Sequence, residues 1–359
     1  MNKKLFLLSI GIIIIILIIV LLIFLNTRKE ENNNNLKIAV VIPLTGAVSE
    51  PGQDFLNGLM LAKEKLNSNN IDLYIEDSQS DAKDGVMACK KLLDTQDVDI
   101  IVSMQSAVVM PILSLADQYN KPLLATLISQ NEFTQKSKNA FRLFTYAEQD
   151  AGLMADFANK KGYKKVSIVA INDEYGQSMA KYFKEKFKGS IIYEEKFEAS
   201  ESDFRTILAK TSGSDATYFL GYNPHYINFF KQREELGNNI TILSNENMAS
   251  NYIRSQVGSL YKNLYATAPP TILSDNIKEF KDEYYKKYGK MPDWTAPYGY
   301  DAYLVLDAIQ KSGKKPIDAL HQIKIQGLNG PISFDEKGES YLPLVVIEAK
   351  NGNVELVQQ

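Results

Sequence analysis

The sequence predicts an α/β protein: two doubly wound parallel-sheet lobes, preceded by one N-terminal transmembrane helix. Three observations carry this. Short β-branched apolar runs alternate with helix-period segments from Leu36 to Thr126, the order that lays strands side by side in a parallel sheet. The same rhythm restarts after Asp150 and runs to Leu243, which describes two units of similar build rather than one large sheet. The length of 359 residues suffices for about two domains of usual size.

The N-terminus reads separately from the rest. Lys3 and Lys4 close a short tail of residues 1–4, and residues 5–25 form an uncharged apolar run broken only by Ser9 and Gly11. At about 1.5 Å per residue this run spans roughly 30 Å, the hydrocarbon thickness of a bilayer. The residues after it, Asn26-Thr-Arg-Lys-Glu30, offer neither a small-residue cleavage site nor a cysteine to take a lipid, so the run is expected to be an uncleaved signal anchor. Positive charge favours the leading tail only slightly, since Arg28 and Lys29 follow the span beside Glu30 and Glu31. A short tail inside and a large domain outside, at the cell surface or in the periplasm, is the simplest arrangement. Residues 26–36, with Asn32-Asn-Asn-Asn35, read as a polar tether.

In the first unit, Leu36–Ile42 is a strand, and Gly52–Asn67 is a helix with Phe55, Leu59, Ala62 and Leu66 on one face. Ile71–Glu76 alternates like a strand near a sheet edge, and Asp81–Leu93 is the next helix. Val98–Ser103 has the continuous apolar character of a strand buried on both faces. Met104–Ala107 then leads into a helix, Val108–Tyr119, with Pro111 tolerable in its first turn. Pro122–Thr126 is a further strand, followed by the polar loop Ser129–Glu132. In the second unit, helices Ala151–Lys161, Gln177–Phe187, Asp203–Lys210 and His225–Leu236 alternate with strands Lys165–Ala170, Ile191–Tyr193, Ala216–Leu220 and Ile240–Leu243. Helices Asn276–Tyr288 and Tyr298–Lys311 follow, then strands Pro331–Phe334, Leu344–Ile347 and Val354–Leu356, with Asp335–Gly338 as a turn.

Composition narrows the chemistry. A net charge of −3 shows no basic field, which argues against nucleic acid as a partner. The single cysteine, Cys89, falls in a helical pattern and reads as a small buried hydrophobe. His225 and His321 are too few and too far apart to suggest a metal site, and no cofactor is expected. Neither a G-x-G-x-x-G nor a P-loop lysine motif is present. The nearest approach to a nucleophile elbow is Gly176-Gln-Ser-Met-Ala180, but Ala180 replaces the second glycine and Ser178 would lie inside the helix. The chain is therefore expected not to be an enzyme.

Polar and aromatic residues at strand ends are more informative, because ligands of open α/β sheets collect outside the carboxyl ends of strands. Ser106 sits beside a helix N-terminus, where free N–H groups and the dipole favour a carboxylate, although a serine there also serves as a plain N-cap. Ser129 follows the next strand. Tyr175 in Asn172–Gly176, Tyr222 in Gly221–Pro224 and Glu246 in Ser244–Asn247 occupy the matching places in the second unit. With 20 tyrosines in the chain, Tyr175 and Tyr222 also have a packing reading. Together the five form two opposed rims, suited to a small zwitterion with its carboxylate against the serines and its ammonium against Glu246.

From Lys37 to about Lys350 the chain resembles the type I periplasmic (venus-flytrap) solute-binding proteins, especially the leucine/isoleucine/valine-binding group of ABC importers. The resemblance rests on the order and spacing of Ile38–Gly46, Asn57-Gly58, Tyr74–Ser78, Pro122–Thr126, Phe141-Arg142, Asp173–Gly176, Asp203-Phe204 and Tyr298–Ala302. It implies two lobes joined by three crossovers, expected here as 37–146 with 268–328 and 147–267 with 329–359, closing on a ligand by hinge bending. It further implies that Ser106 and Ser129 bind a carboxylate, helped by the loop backbone at Leu127 and Ile128, that Tyr175 and Tyr222 line the cleft, and that Glu246 takes the amino group. Pro51 stands where branched-chain binders carry a cleft aromatic, and Leu127-Ile128 replaces a pair of smaller residues; both change the pocket near the ligand.

The expected function is that of a membrane-anchored, extracytoplasmic solute-binding protein. It would capture a small amine-bearing ligand, an amino acid, and present it to an ABC permease as a monomer. The alternatives are a ligand-sensing module for a membrane receptor, or a binder of an amide, urea or an organic acid. A transcriptional regulator with related lobes would need a DNA-binding segment where the apolar run stands. A hydrolase would need Ser178 or residues that no motif marks.

Overall fold

The computed structural model describes residues 35–273, 277–350 and 352–357. The expected anchor at 5–25 and nearly all of the tether lie outside the described residues. Among the described residues no helix is long and apolar enough to cross a membrane.

The first βα rhythm becomes a five-stranded parallel sheet. In chain order its elements are β1 (Leu36–Ile42), α1 (Ser49–Leu66), β2 (Ile71–Asp77), α2 (Ala82–Thr95), β3 (Ile100–Met104), α3 (Ser106–Tyr119), β4 (Leu123–Thr126), α4 (Phe133–Lys136) and β5 (Ala140–Arg142). The strand order is β2-β1-β3-β4-β5, every pair parallel. Side chains alternate across a strand, and β1 shows the consequence of burial on both faces. Ile38, Val40 and Ile42 pack with α1 on one side, whereas Ala39 and Val41 pack with α2 and α3 on the other. Cys89 belongs to this second cluster, where burial pushes its thiol up to about 12, as suits a packing residue.

The second rhythm gives α5 (Ala147–Lys160), β6 (Lys165–Ile171), α6 (Glu174–Lys186), β7 (Ser190–Phe197), α7 (Arg205–Lys210), β8 (Ala216–Leu220), α8 (Asn223–Glu235), β9 (Thr241–Ser244), α9 (Asn251–Val257) and β10 (Leu264–Ala268). There follow α10 (Lys278–Tyr288), α11 (Ala296–Ser312), α12 (Pro316–Leu320) and the two-stranded pair β11 (Lys324–Gln326) and β12 (Pro331–Ser333). The last elements are β13 (Val345–Lys350) and β14 (Asn353–Leu356). The second sheet runs β14-β13-β10-β9-β8-β6-β7; its core is parallel, and β13 and β14 join antiparallel at one edge.

Three differences from the sequence reading have local causes. Strand β7 extends well beyond Ile191–Tyr193 because it is an edge strand, alternately exposed and polar, so only its apolar centre is visible in sequence. Helix α6 starts at Glu174 rather than Gln177, since the Asp173 carboxylate accepts from Gly176 N at 2.9 Å and caps it there. The short elements β5, β10 and α9 carry too little periodicity to register.

The chain passes between the two sheets three times. It leaves the first after β5 and returns after β10, sending α10 to α12 back to the first sheet. Ile332, Phe334 and Leu342 still belong to the apolar cluster of the first sheet, while Val346 and Ala349 belong to that of the second.

Helices α1 and α11 approach with almost no space between their backbones. A Cβ on Gly58 would lie 1.9 Å from the Ala296 carbonyl oxygen, and one on Gly299 would lie 1.9 Å from that of Phe55. Gly58→Ala is therefore expected to lower stability by about 1–3 kcal/mol through overpacking, despite the better helix propensity of alanine. Urea unfolding should show a lower midpoint at unchanged slope. A midpoint equal to or above that of the parent would contradict the close-contact account.

Candidate functional site

The site follows from where the strands end. The order of the first sheet reverses between β1 and β3, and that of the second between β6 and β8. At such switch points the loops leaving neighbouring strands diverge and open a crevice. The two crevices face each other across one narrow cleft, partly open to solvent. Ala47, Val48 and Pro51 line it beyond β1, Gln105 and Ser106 beyond β3, and Leu127 and Ser129 beyond β4. From the opposite side come Tyr175 beyond β6, Tyr222 and Asn223 beyond β8, and Glu246 and Asn247 beyond β9. Phe144, on the first passage between the sheets, closes one wall.

On the first rim Ser106 is the opening residue of the fourteen-residue α3, so the positive end of that helix dipole meets the cleft. Its hydroxyl accepts from Ser129 N at 3.2 Å and lies 3.5 Å from the Leu127 carbonyl, which ties the two serine loops together. Gln105 and Leu127 hold left-handed backbones, with φ of +75° and +51°. Non-glycine residues seldom take such values unless their surroundings enforce them, and functional loops are where they gather.

On the second rim the rings of Tyr175 and Tyr222 stack at 5.8 Å. The hydroxyl of Tyr175 donates to Asn245 Oδ1 at 3.0 Å, and that of Tyr222 donates to Asp173 Oδ2 at 2.7 Å. Asp173 thus fixes Tyr222 while it caps α6. Glu246 opens a 3₁₀ turn, Glu246–Ala249, and only 2% of it is exposed; its Oε2 has no hydrogen-bond partner. Its neighbour is another buried acid, Asp150 of α5, also 2% exposed and within hydrogen-bonding reach of the Glu246 carboxyl. Asp150 further accepts from the Thr267 hydroxyl on β10 and is bonded by the Asn245 side chain.

Burial raises both acids, and their proximity adds to the rise on Glu246. Asp150 is pushed up to about 6 and Glu246 well above the ordinary carboxylate range. The surrounding hydroxyls, those of Tyr175, Tyr218, Tyr226 and Tyr298, are all raised by burial and stay neutral. Each acid so raised holds a proton more readily than an ordinary carboxyl, and two this close favour binding one proton between them.

Of the seven residues expected at the site, Ser106, Leu127, Ser129, Tyr175, Tyr222 and Glu246 line this one cleft. Ile128 does not. Its side chain is fully buried in the apolar cluster of α2 and α3, and its carbonyl accepts from Arg142 Nη1 at 2.6 Å. It is withdrawn because alternate residues of the loop face opposite ways, and Leu127 and Ser129 take the cleft side. Ser178 lies within α6, away from any strained turn. His225 is structural: Nδ1 accepts from Tyr222 N at 3.0 Å, Nε2 meets the Ala199 carbonyl at 3.0 Å, and burial lowers its basicity. Residues that the sequence reading did not single out are Asp150, Gln105 and Asn223. The signal available for Gln105 and Asn223 was adjacency to Ser106 and Tyr222; Asp150 gave none, since it marks only where the pattern restarts.

The chain matches the model of the periplasmic binding protein family over residues 35–353. It is 22% identical over 324 residues to the leucine-, isoleucine-, valine-, threonine- and alanine-binding protein of Pseudomonas aeruginosa, covering 85% of this chain and 87% of that one. Among solved structures it is similar to a leucine binding protein of Thermotoga maritima, with a TM-score of 0.83 and 27% identity over 90% of this chain and 98% of that one. It has the same fold as a Rhodopseudomonas palustris ABC-transporter solute binding protein in complex with 3,4-dihydroxybenzoic acid, with a TM-score of 0.83 and 22% identity over 90% and 96% of the two chains. The chain belongs to the periplasmic binding protein family, with the type I fold of its solute-binding proteins.

Proposed function

We propose that this protein captures an amino acid between its two lobes outside the cytoplasm and presents it to an ABC-type permease, acting as a monomeric binder without converting its ligand. Residues 5–25 would anchor it to the membrane. The lobes would be 37–146 with 268–342, and 147–267 with the C-terminal strands from Val345. The last boundary is moved past the expected 328/329 because Ile332, Phe334 and Leu342 pack with the first sheet.

One observation carries the reading. Two coupled serines at a helix N-terminus face a buried carboxylate on the opposite rim. An α-carboxylate fits the first and an α-ammonium the second. An aromatic acid such as the one held by the Rhodopseudomonas relative would leave Glu246 buried without a cation, which is costly. A sensing role for a membrane receptor would use the same cleft and differ only in the partner that reads closure.

A thermal-shift panel of amino acids, amides, urea and aromatic acids tests this directly. A ligand at one hundred times its Kd stabilises the folded state by about 2.7 kcal/mol. We expect an L-amino acid to raise Tm, Glu246→Gln to weaken its binding by about 2–5 kcal/mol, and Ser106→Ala by about 1–3 kcal/mol. If compounds without an amine shift Tm and amino acids do not, the role given to Glu246 is wrong.

The shared proton adds a pH dependence. Below the raised value of about 6 on Asp150, a second proton neutralises the pair and removes the charge that faces the ammonium. Ligand release then takes up a proton, so affinity holds above pH 6 and falls up to tenfold per unit below it. Asp150→Asn leaves Glu246 alone to carry the charge and still raised by burial, so the acid limb should move up from that of the parent rather than down towards the ordinary carboxylate range. Calorimetric titration from pH 8 to pH 4.5 would show this; a flat parent profile across pH 6 counts against the shared proton.

A further inference from the structure

The cleft has a third region besides the serine end and the acid end. If the α-carboxylate lies at Ser106 and Ser129 and the α-ammonium at Glu246, the ligand's side chain is left to the wall formed by Val48, Pro51, Gln105, Phe144, Tyr222 and Asn223. Half of that wall is apolar, and the other half carries two carboxamides from opposite lobes.

Both carboxamides are more than nine-tenths buried, Gln105 at 5% exposure and Asn223 at 6%. Each has a buried polar atom without a hydrogen-bond partner, Gln105 Oε1 and Asn223 Nδ2. Buried polar atoms are nearly always paired, and one left open at a cleft is unfavourable until something fills it. The orientation of Gln105 is determined by its neighbours. Its Nε2 lies 3.5 Å from the Ser80 carbonyl and beside the Tyr222 hydroxyl, whose own proton goes to Asp173. The amide nitrogen therefore faces two acceptors, and Oε1 is the end left over. The backbone strain at Gln105, with φ of +75°, is held where it puts this group at the cleft.

We propose that Gln105 and Asn223 are specificity residues selecting an amino acid whose side chain carries a neutral hydrogen-bonding group, a hydroxyl or a carboxamide. The group donates to Gln105 Oε1 and accepts from Asn223 Nδ2, while Val48, Pro51 and Phe144 cover its carbon stem. A charged side chain does not fit, because among the described lining residues the ionisable acid is Glu246, already committed to the ammonium, and no lysine or arginine is present. An aliphatic side chain of the same shape fills the space but leaves both amides unpaired. This inference rests on the amino-acid reading above and extends it from the α-groups to the side chain.

Matched pairs isolate the effect: threonine against valine, and asparagine against leucine, titrated calorimetrically into the full chain. Two hydrogen bonds to buried partners predict that the polar member of the fitting pair binds about tenfold or more tightly. Gln105→Met, close to glutamine in shape, and separately Asn223→Leu should each cut that preference by about tenfold or invert it. The ratio is read within each variant, so partial loss of folded protein does not imitate it. Valine or leucine binding as tightly as the polar partner in the parent would overturn the proposal, as would a ratio that Gln105→Met leaves unchanged. If no α-amino acid binds and Glu246→Gln alters the response to no compound, the amino-acid reading itself fails and this inference falls with it.

Discussion

The cleft depends on a cation that never meets the ligand. Arg142, at the end of β5, is fully buried, and its guanidinium donates to the Ile128 carbonyl at 2.6 Å and to the Gln130 carbonyl at 2.5 Å. Glu339 balances the charge, with Nε to Oε2 at 2.9 Å, and also takes the Thr134 hydroxyl at 2.5 Å. Backbone bonds from Arg142 N to Gly338 O and from Ser340 N to Arg142 O lay the late segment alongside β5. Such a buried pair adds little net stability, but removing one partner leaves the other charge stranded at a cost of about 3–5 kcal/mol. Its effect is therefore on geometry. It clamps alternate carbonyls of the loop 128–130, which turns Leu127 and Ser129 to the cleft and holds Leu127 at a backbone angle it would otherwise leave. The rim is set by a contact nearly 200 residues distant in sequence.

The two halves solve the same problem in the same way. In each, the ligand-facing residues come from the strands on either side of a reversal in order, β1 and β3 in one and β6 and β8 in the other, with a contribution from the next strand outward. What differs is the chemistry placed on that common frame. The first half supplies hydroxyls and a helix end, groups that bind negative charge; the second supplies stacked phenols and a buried acid pair. A zwitterion is complementary to that asymmetry, and neither half offers both of its ends.

How much of this was legible in sequence depends on whether local pattern or distant contact decides a residue's place. Strands β1, β3, β6 and β8 announce themselves as apolar runs, and position after a strand was enough to mark Ser106, Ser129, Tyr175, Tyr222 and Glu246 as facing one region. Ile128 was expected to lend its backbone to the site, but Arg142 takes its carbonyl, a contact that no local pattern marks. Asp150 was invisible for another reason. It lies in the first turns of α5, where an acid is ordinary, and only the fold brings Glu246 against it. Gln105 and Asn223 looked like spacers beside better-marked neighbours. Their significance lies in which atoms remain unpaired, a property that exists only once the surroundings are assembled. Ile332, Phe334 and Leu342 are placed by packing against the first sheet rather than by any pattern of their own, which is why the proposed lobe boundary falls later than the one the resemblance implied.

The way the halves are joined bears on how binding can be sensed. Besides the three passages, a buried polar strap crosses between them. Asp54 of α1 accepts from Tyr284 Oη at 2.6 Å and from Ala296 N at 2.8 Å, which holds the turn before α11. From that turn Asp293 accepts from Ser250 Oγ at 2.5 Å and Asn251 N at 3.0 Å, capping α9 on the second side. Across the cleft mouth the contact is weaker: Lys181 and Glu132 stand 3.9 Å apart and about half exposed. Each such bond contributes only about 0.5–1.5 kcal/mol net, because water can replace it when the surfaces part. In the hinge-closing mechanism that the proposed function implies, open and closed arrangements must lie close in free energy. The ligand then shifts the balance only by the contacts that closure alone provides. A molecule held by the serine rim or by Glu246 alone, however tightly, leaves the equilibrium where it was, since its affinity is the same in both states.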